Sequence, residues 1–195
     1  MEPGRPPISR DFYESDPSQV ARNLLGKVIV RRLGSEALSG KIVETEAYYG
    51  DRDPASRAYR GRKDYNRPMF GEPGRLFVYM VHTWWLLNIV AHVECGVGAV
   101  LIRGLEPLEG VRGMMMNRRM EGIHNLTNGP GKLARALAVT NELNGLDITE
   151  AGSDLVVTAG EDEAFDIGSS MRIGVTRDLP NELRFYIEGN RFVSK

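Results

Sequence analysis

The stretch KIVETEAYYG, Lys41 to Gly50, sets the frame for the chain. Its apolar and polar residues alternate, the pattern of a half-buried strand. At that period Ile42, Glu44, Glu46 and Tyr48 share one face, and Val43, Thr45, Ala47 and Tyr49 share the other. With Val43 and Ala47 turned to a core, two carboxylates and a tyrosine ring stand together on the opposite surface. Two readings stay open here: a solvated sheet face carrying salt-bridged glutamates, or the floor of a site.

The neighbouring segments supply partners for this strand. Lys27 to Leu33 reads as a strand, joined to Ser39–Tyr49 through a turn at Gly34-Ser35. Before it, Asp16-Pro17-Ser18-Gln19 announces a helix: Asp16 as N-cap, Pro17 at the first helical position, and Gln19 three residues after the cap. Val20, Leu24 and Leu25 form the buried stripe of that helix, and Gly26 ends it. Further strands are expected at Arg75–Met80, Trp84–Val90, Ala99–Arg103, Asp154–Thr158 and Leu183–Ile187, and helices at Leu108–Arg119 and Lys132–Val139. Gly50 to Gly74, rich in glycine, proline and basic residues, reads as a long irregular loop, a type that is usually functional or disordered. The result is an α+β fold with a largely antiparallel sheet in a single domain over residues 1–195, with residues 1–9 a loose lead-in.

Composition narrows the function classes. The chain has 195 residues, enough for a proper core, with 42% hydrophobic and 26% charged residues, which excludes a wholly disordered chain. Its one cysteine, Cys95, can form neither an internal disulfide nor a cysteine metal cluster, so a reducing, cytoplasmic setting is expected. No segment has the uninterrupted apolar length of a membrane span, and MEPGRPPISR has no apolar signal core. The net charge of −1 hides an asymmetry. Seven bases against three acids lie between Arg52 and Arg75, and five bases against Glu121 alone between Arg112 and Arg135. Seven acids and no base lie between Asp147 and Asp166. Such a molecule can hold a polyanion on its basic side, or the runs can be solvated loops.

Three features could carry chemistry. Glu44 and Glu46, two apart on a strand, lie ~7 Å from each other. That separation suits a general base holding a water, with the second acid tuning it. In LFVYMVHTWWLLN, Leu76 to Asn88, Phe77 and Tyr79 share a face, so Tyr79 can join Tyr48 as a stacking surface. His82 stands at the hairpin tip, Trp84 and Trp85 are expected in the core, and Asn88 needs hydrogen-bond partners if buried. In LTNGPGKLARAL, Leu126 to Leu137, a glycine-rich entry leads into a helix with Lys132 in its first turn, a ready phosphate contact or a plain helix start. His82, His92 and His124 show no metal-ligand spacing.

Taken together, VETEAYYG, DPASRAYRGR, RPMFGEPGRLFVYMV, VLIRGLEPLEG, LTNGPGKLARAL and LRFYIEGNRFVSK resemble the alkyladenine (3-methyladenine) DNA glycosylase family, in that family's order, from about Asp11 to the C-terminus. The resemblance implies a compact α+β fold with a curved antiparallel sheet, surrounding helices and a protruding hairpin. It implies an enzyme without metal or organic cofactor that acts as a monomer on double-stranded DNA. That enzyme flips out 3-methyladenine, 7-methylguanine, hypoxanthine or ethenoadenine and hydrolyses the N-glycosidic bond. It puts the water-activating base at Glu46, stacking rings at Tyr48 and Tyr79, the residue that excludes the guanine amino group at Asn88, and the phosphate-holding arginine at Arg103. Met69, His82, Thr83 and Lys132 fall on the DNA.

Two positions depart from the family pattern. Arg57 stands where a histidine is usual against the base, and His82-Thr83 replaces an intercalated tyrosine and its following glycine. The second departure implies weaker flipping, or dependence on lesions that already pair badly. No lysine is placed beside Glu46 to form a Schiff base, so water is the expected nucleophile and strand nicking is not expected. Two other functions fit the same residues: a lesion-binding protein with weak catalysis, and a hydrolase of free nucleosides.

Overall fold

The computed structural model describes residues 5–194. Eight antiparallel strands form one curled sheet: β1 (Val28–Leu33), β2 (Glu36–Tyr49), β3 (Leu76–Val81), β4 (Trp84–Val90), β5 (Gly98–Pro107), β6 (Leu155–Thr158), β7 (Ile167–Ser170) and β8 (Arg184–Ile187). The order across the sheet is β3-β4-β5-β2-β1-β6, and β8 joins β2 where β1 has ended, with β7 on its outer edge. The fourteen-residue β2 is therefore the spine, bonded to β5 along one side and to β1 and then β8 along the other. Three α-helices, α1 (Pro17–Asn23), α2 (Val111–Arg118) and α3 (Pro130–Ala136), complete an α+β domain.

Local chemistry explains the elements. Asp16 caps α1, its Oδ1 accepting from the Ser18 amide at 2.9 Å. Gln19 does not complete a reciprocal cap; its side chain donates to Asn23 Oδ1 one turn on. The Thr45 hydroxyl donates to the Ala21 carbonyl at 2.9 Å and pins α1 onto β2. α2 begins only at Val111, because β5 runs on through Pro107, which pairs with Gly40. β7, Ile167–Ser170, was not expected: IGSS lacks the apolar alternation of a strand and owes its form to pairing with β8. Of the lead-in expected over residues 1–9, residues 1–4 lie outside the described residues, and Arg5 to Ser9 are tied to β6, with Pro7 bridging Thr158 and the Ile8 amide donating to the Val157 carbonyl.

Two hydrophobic clusters occupy the two faces of the sheet. The larger joins α1 and α3 to one face through Val20, Leu24, Val43, Ala47, Leu87, Ile89, Val100, Ile102, Leu133 and Leu137. Each valine, leucine or isoleucine among them contributes about 1.5–3 kcal/mol on burial. The smaller cluster lies on the other face, where Ala58 and Met69 of the Gly50–Gly74 loop pack on Phe77, Val90 and Ala99. That loop is thus a lid on the sheet. It contains a 3-10 stretch, Asp64–Phe70, and is sewn together by buried Asn66, whose amide donates to the Arg57 and Gly61 carbonyls.

Strict alternation fails at one point in β2. The register slips between Ile42 and Thr45, a β-bulge, so Ile42 and Val43 both enter the larger core. Beyond the bulge Glu44, Glu46 and Tyr48 share a face, as expected, without Ile42. The hairpin β3–β4 has a two-residue turn, His82-Thr83, since Val81 pairs with Trp84. His82 sits in the left-handed region at φ 53° and is exposed. Trp84 is no core residue: on β4 the odd positions Trp85, Leu87 and Ile89 face the larger core, and Trp84 is 37% exposed. No helix among the described residues is long and apolar enough to cross a membrane.

Candidate active site

Cross-strand pairing assembles the site from four strands. Glu46 on β2 pairs with Leu101 on β5, Leu101 with Asn88 on β4, and Asn88 with Phe77 on β3. Directly paired residues point to one face, so Glu46, Asn88 and Phe77 line up on the face opposite the larger core, with Tyr48 and Tyr79 one step along their strands. There the chain leaves a cavity of about 830 Å³ whose lining includes Tyr48, Arg57, Tyr79, His82, Arg103 and Lys132. Residues Ile173 to Arg177 close its other wall.

Both glutamates are fully buried, so the solvated-face reading fails, yet their surroundings differ. Glu44 is saturated: Arg103 Nε (3.0 Å), Arg184 Nε (2.7 Å) and the Ser194 hydroxyl (2.8 Å) donate to Oε1, and the Ser194 amide (2.6 Å) donates to Oε2. The C-terminal residues reach this point because Gly104 lies opposite. A Cβ there would sit 2.7 Å from the Phe192 carbonyl oxygen and 3.2 Å from Glu44 Cβ. Glu44 is the anchor that aims Arg103. Its guanidinium forks, with Nε on Glu44, Nη1 3.2 Å from Glu46 Oε1, and Nη2 on the Ser194 hydroxyl.

Glu46 lies directly behind the cavity wall. Its Oε1 also accepts from the Ile173 amide at 2.8 Å, and its Oε2 accepts from the Tyr48 hydroxyl at 2.7 Å. Tyr48, Arg103 and Ile173 therefore both line the cavity and touch the carboxylate. Burial raises the Glu46 pKa above the usual carboxylate value, opposed by the Arg103 charge and by the Ile173 and Tyr48 hydrogen bonds. Burial also raises the Tyr48 hydroxyl, reinforced by the Glu46 charge, so it stays a donor.

The rings come next. Tyr79 stacks on Phe77 with centroids 4.9 Å apart at 20°, and the Arg57 guanidinium lies 4.8 Å from its centroid. Arg172, 4.4 Å from the Tyr48 centroid, backs that ring. Arg172 is itself clamped: Asp53 accepts from Nη1 at 2.7 Å and Nη2 at 2.8 Å, Asp178 accepts from Nε at 2.9 Å, and the Ala47 carbonyl accepts from Nη1. Asp53 also accepts from the Tyr49 and Ala55 amides, so one buried ion pair holds the lid, Tyr48 and the far wall together. The Asp53 and Asp178 contacts outweigh burial and raise the Arg172 pKa.

The remaining expected site residues are distributed as follows. Asn88 is 3% exposed, and its amide donates to the Phe77 carbonyl at 3.0 Å. Lys132 donates to Asn128 Oδ1 at the cavity edge, where Gly131 packs against Trp84; a Cβ there would fall 2.9 Å from that side chain. Met69 is 1% exposed within the smaller core and so does not meet the surface where DNA was expected. His82 and Thr83 are exposed at the hairpin tip. Among the described residues no cluster of His, Cys, Asp and Glu suits a metal ion.

The basic segments border this cavity, through Arg57, Arg60 and Lys132, and Arg118 and Arg135 flank Trp84 at 5.6 and 5.9 Å. The acidic stretch turns elsewhere, pairing Asp147 with Arg10, Glu161 with Arg5 and Glu163 with Lys41. Asp53, Arg172, Ile173, Asp178, Arg184 and Ser194 also belong to this site, although local sequence pattern marks none of them as functional. Asp53, Arg184 and Ser194 fall within the blocks DPASRAYRGR and LRFYIEGNRFVSK that carry the family resemblance, whereas Arg172, Ile173 and Asp178 lie in the pattern-free run MRIGVTRD.

A family model described as Methylpurine-DNA glycosylase (MPG) matches residues 11–191. Relatives that carry the name "Putative 3-methyladenine DNA glycosylase" include one from Aeropyrum pernix, 44% identical over 96% of this chain and 93% of its own. Another, from Mesorhizobium japonicum, is 42% identical over 97% of this chain and 90% of its own. A third, from Chlorobium phaeobacteroides, is 42% identical over 96% and 94%. The chain belongs to the methylpurine-DNA glycosylase family, and with it to the hydrolases of DNA repair.

Proposed function

We propose that this chain flips alkylated or deaminated purines out of duplex DNA into the Tyr48–Tyr79 cavity and hydrolyses their N-glycosidic bond with a water activated by Glu46. The substrates are 3-methyladenine, 7-methylguanine, hypoxanthine and ethenoadenine. The observation that supports this reading most is that the buried Glu46 carboxylate touches three groups that also line the cavity: Tyr48, Arg103 and Ile173. A carboxylate there stabilises the oxocarbenium-like sugar as the C1′–N9 bond opens, and takes the proton of the attacking water. The bonding pair leaves with the purine, which takes a proton from solvent if it departs as an anion. Arg103, aimed by Glu44, holds the phosphate of the flipped nucleotide beside Glu46.

The exposed His82-Thr83 turn enters the minor groove where the lesion was, and Lys132 and the basic lid contact phosphates, which makes binding salt-dependent. Asn88 disfavours bases with a guanine-type amino group, which keeps unmodified guanine out, while 7-methylguanine is still cleaved because its cationic ring leaves readily. Water as nucleophile, with no lysine beside Glu46, means a monofunctional enzyme that leaves the strand intact, acting as a monomer.

Duplexes carrying hypoxanthine or ethenoadenine test this reading against its rivals. Alkali-labile abasic sites formed from duplex support it. Tight binding with no cleavage favours a lesion-binding protein, and turnover of free inosine with no action on duplex favours a nucleoside hydrolase. His82→Ala is expected to slow excision from paired duplex about tenfold more than from single strands, because only the duplex needs a wedge. Single-turnover rates on the two substrates check this, and equal losses contradict a wedge role.

A further inference from the structure

Resting on the glycosylase reading, we infer that Arg57 makes the cavity select neutral purines with acceptors on their O6/N7 edge, hypoxanthine foremost, over cationic alkylated purines. Tyr79 has Phe77 stacked on one face, and the Arg57 guanidinium lies 4.8 Å from its centroid on the side left open. That planar cation occupies the place of a stacked base. The two arginines that touch the tyrosine rings differ in one respect. Arg172, behind Tyr48, is neutralised by Asp53 and Asp178. No carboxylate among the described residues lies within ion-pair distance of Arg57. Its charge is therefore spent on whatever enters the cavity.

The backbone at Arg57 is fixed, since its carbonyl accepts from Asn66 Nδ2 at 2.8 Å, while its side chain is exposed and able to swing aside. A base that displaces the guanidinium from Tyr79 meets it along the edge. Hypoxanthine offers O6 and N7 there, the acceptor pair that a guanidinium fork matches. The same N–H donors stabilise the negative charge left on a departing neutral purine, for which the cavity has no evident acid. A 7-methylated purine has lost the N7 acceptor and carries positive charge, so it meets repulsion in a partly desolvated space.

The test is single-turnover excision of hypoxanthine and of 7-methylguanine from the same duplex context by wild type, Arg57→Leu and Arg57→Lys. The ratio of the hypoxanthine rate to the 7-methylguanine rate is expected to fall at least about tenfold in Arg57→Leu, because hypoxanthine loses its donors while the 7-methylated cation loses its repulsion. Arg57→Lys, which keeps the charge but loses the planar fork, is expected to give a ratio between those of wild type and Arg57→Leu. A ratio within about twofold of wild type in Arg57→Leu overturns this inference alone. Wild type that excises 3-methyladenine but not hypoxanthine likewise overturns it, and wild type that excises none of the four damaged bases overturns the glycosylase reading itself.

Discussion

Glu46→Gln is expected to lower excision by roughly 10³-fold or more while lesion binding persists, the upper part of the range for loss of a general base. Glutamine keeps the size of the side chain and one acceptor oxygen but removes the charge proposed to stabilise the opening sugar. Arg103, anchored independently by Glu44, stays in place, so binding should survive. The pH dependence carries a second signature. Burial raises the Glu46 pKa, so the wild-type rate is lost as pH falls through a value above the usual glutamate figure of about 4.3, and the variant lacks that acid limb.

Stability runs the other way. A carboxylate whose folded pKa is raised favours the folded state when protonated. The fold therefore gives up that contribution as pH rises from the unfolded value through the raised one, and the Glu46→Gln variant does not. Single-turnover rates and urea midpoints across the acid range check both signs. Parallel pH profiles for wild type and variant would count against Glu46 as the titrating base.

Asp53→Ala is expected to destabilise the fold by about 3 kcal/mol, a loss of about 10 °C in Tm for a chain of this length. Both partners of the Asp53–Arg172 pair have side chains with no exposed surface, and guanidinium cannot shed its proton to escape burial. Asp178 holds only part of the compensation. The Tyr49 and Ala55 amides lose their acceptor as well, so the lid should loosen first. Limited proteolysis is expected to cut Asp53→Ala between Gly50 and Gly74, where wild type resists. A thermal shift under about 2 °C would mean that the clamp contributes little.

Much of this architecture was legible from local pattern. Apolar runs at period two gave the strands from Val28 to Tyr49 and the hairpin whose turn is His82-Thr83, because each depends on near neighbours in sequence. Tyr48, Tyr79, Asn88 and Arg103 came onto one surface with Glu46 because paired strands share a face. Three things were hidden for one reason, dependence on distant chain. The bulge beside Glu44 moves Ile42 into the core and is visible only through the partner strand β5. Met69, in a segment that reads as polar loop, is buried because the lid folds onto Phe77 and Val90. Arg172, Ile173, Arg184 and Ser194 lie more than a hundred residues from the glutamates or the aspartate they contact, so that even Arg184, on an expected strand, shows its partner only in the fold.

The central claim is that Glu46 directs a solvent molecule, and no protein side chain, at the anomeric carbon. Excision of hypoxanthine from duplex in water containing methanol tests it most directly. Part of the product is expected to be an alkali-stable 1′-methoxy sugar of inverted configuration, formed by wild type and absent with Glu46→Gln. A covalent protein–DNA adduct trapped by borohydride, or a methoxy sugar of retained configuration, would contradict it.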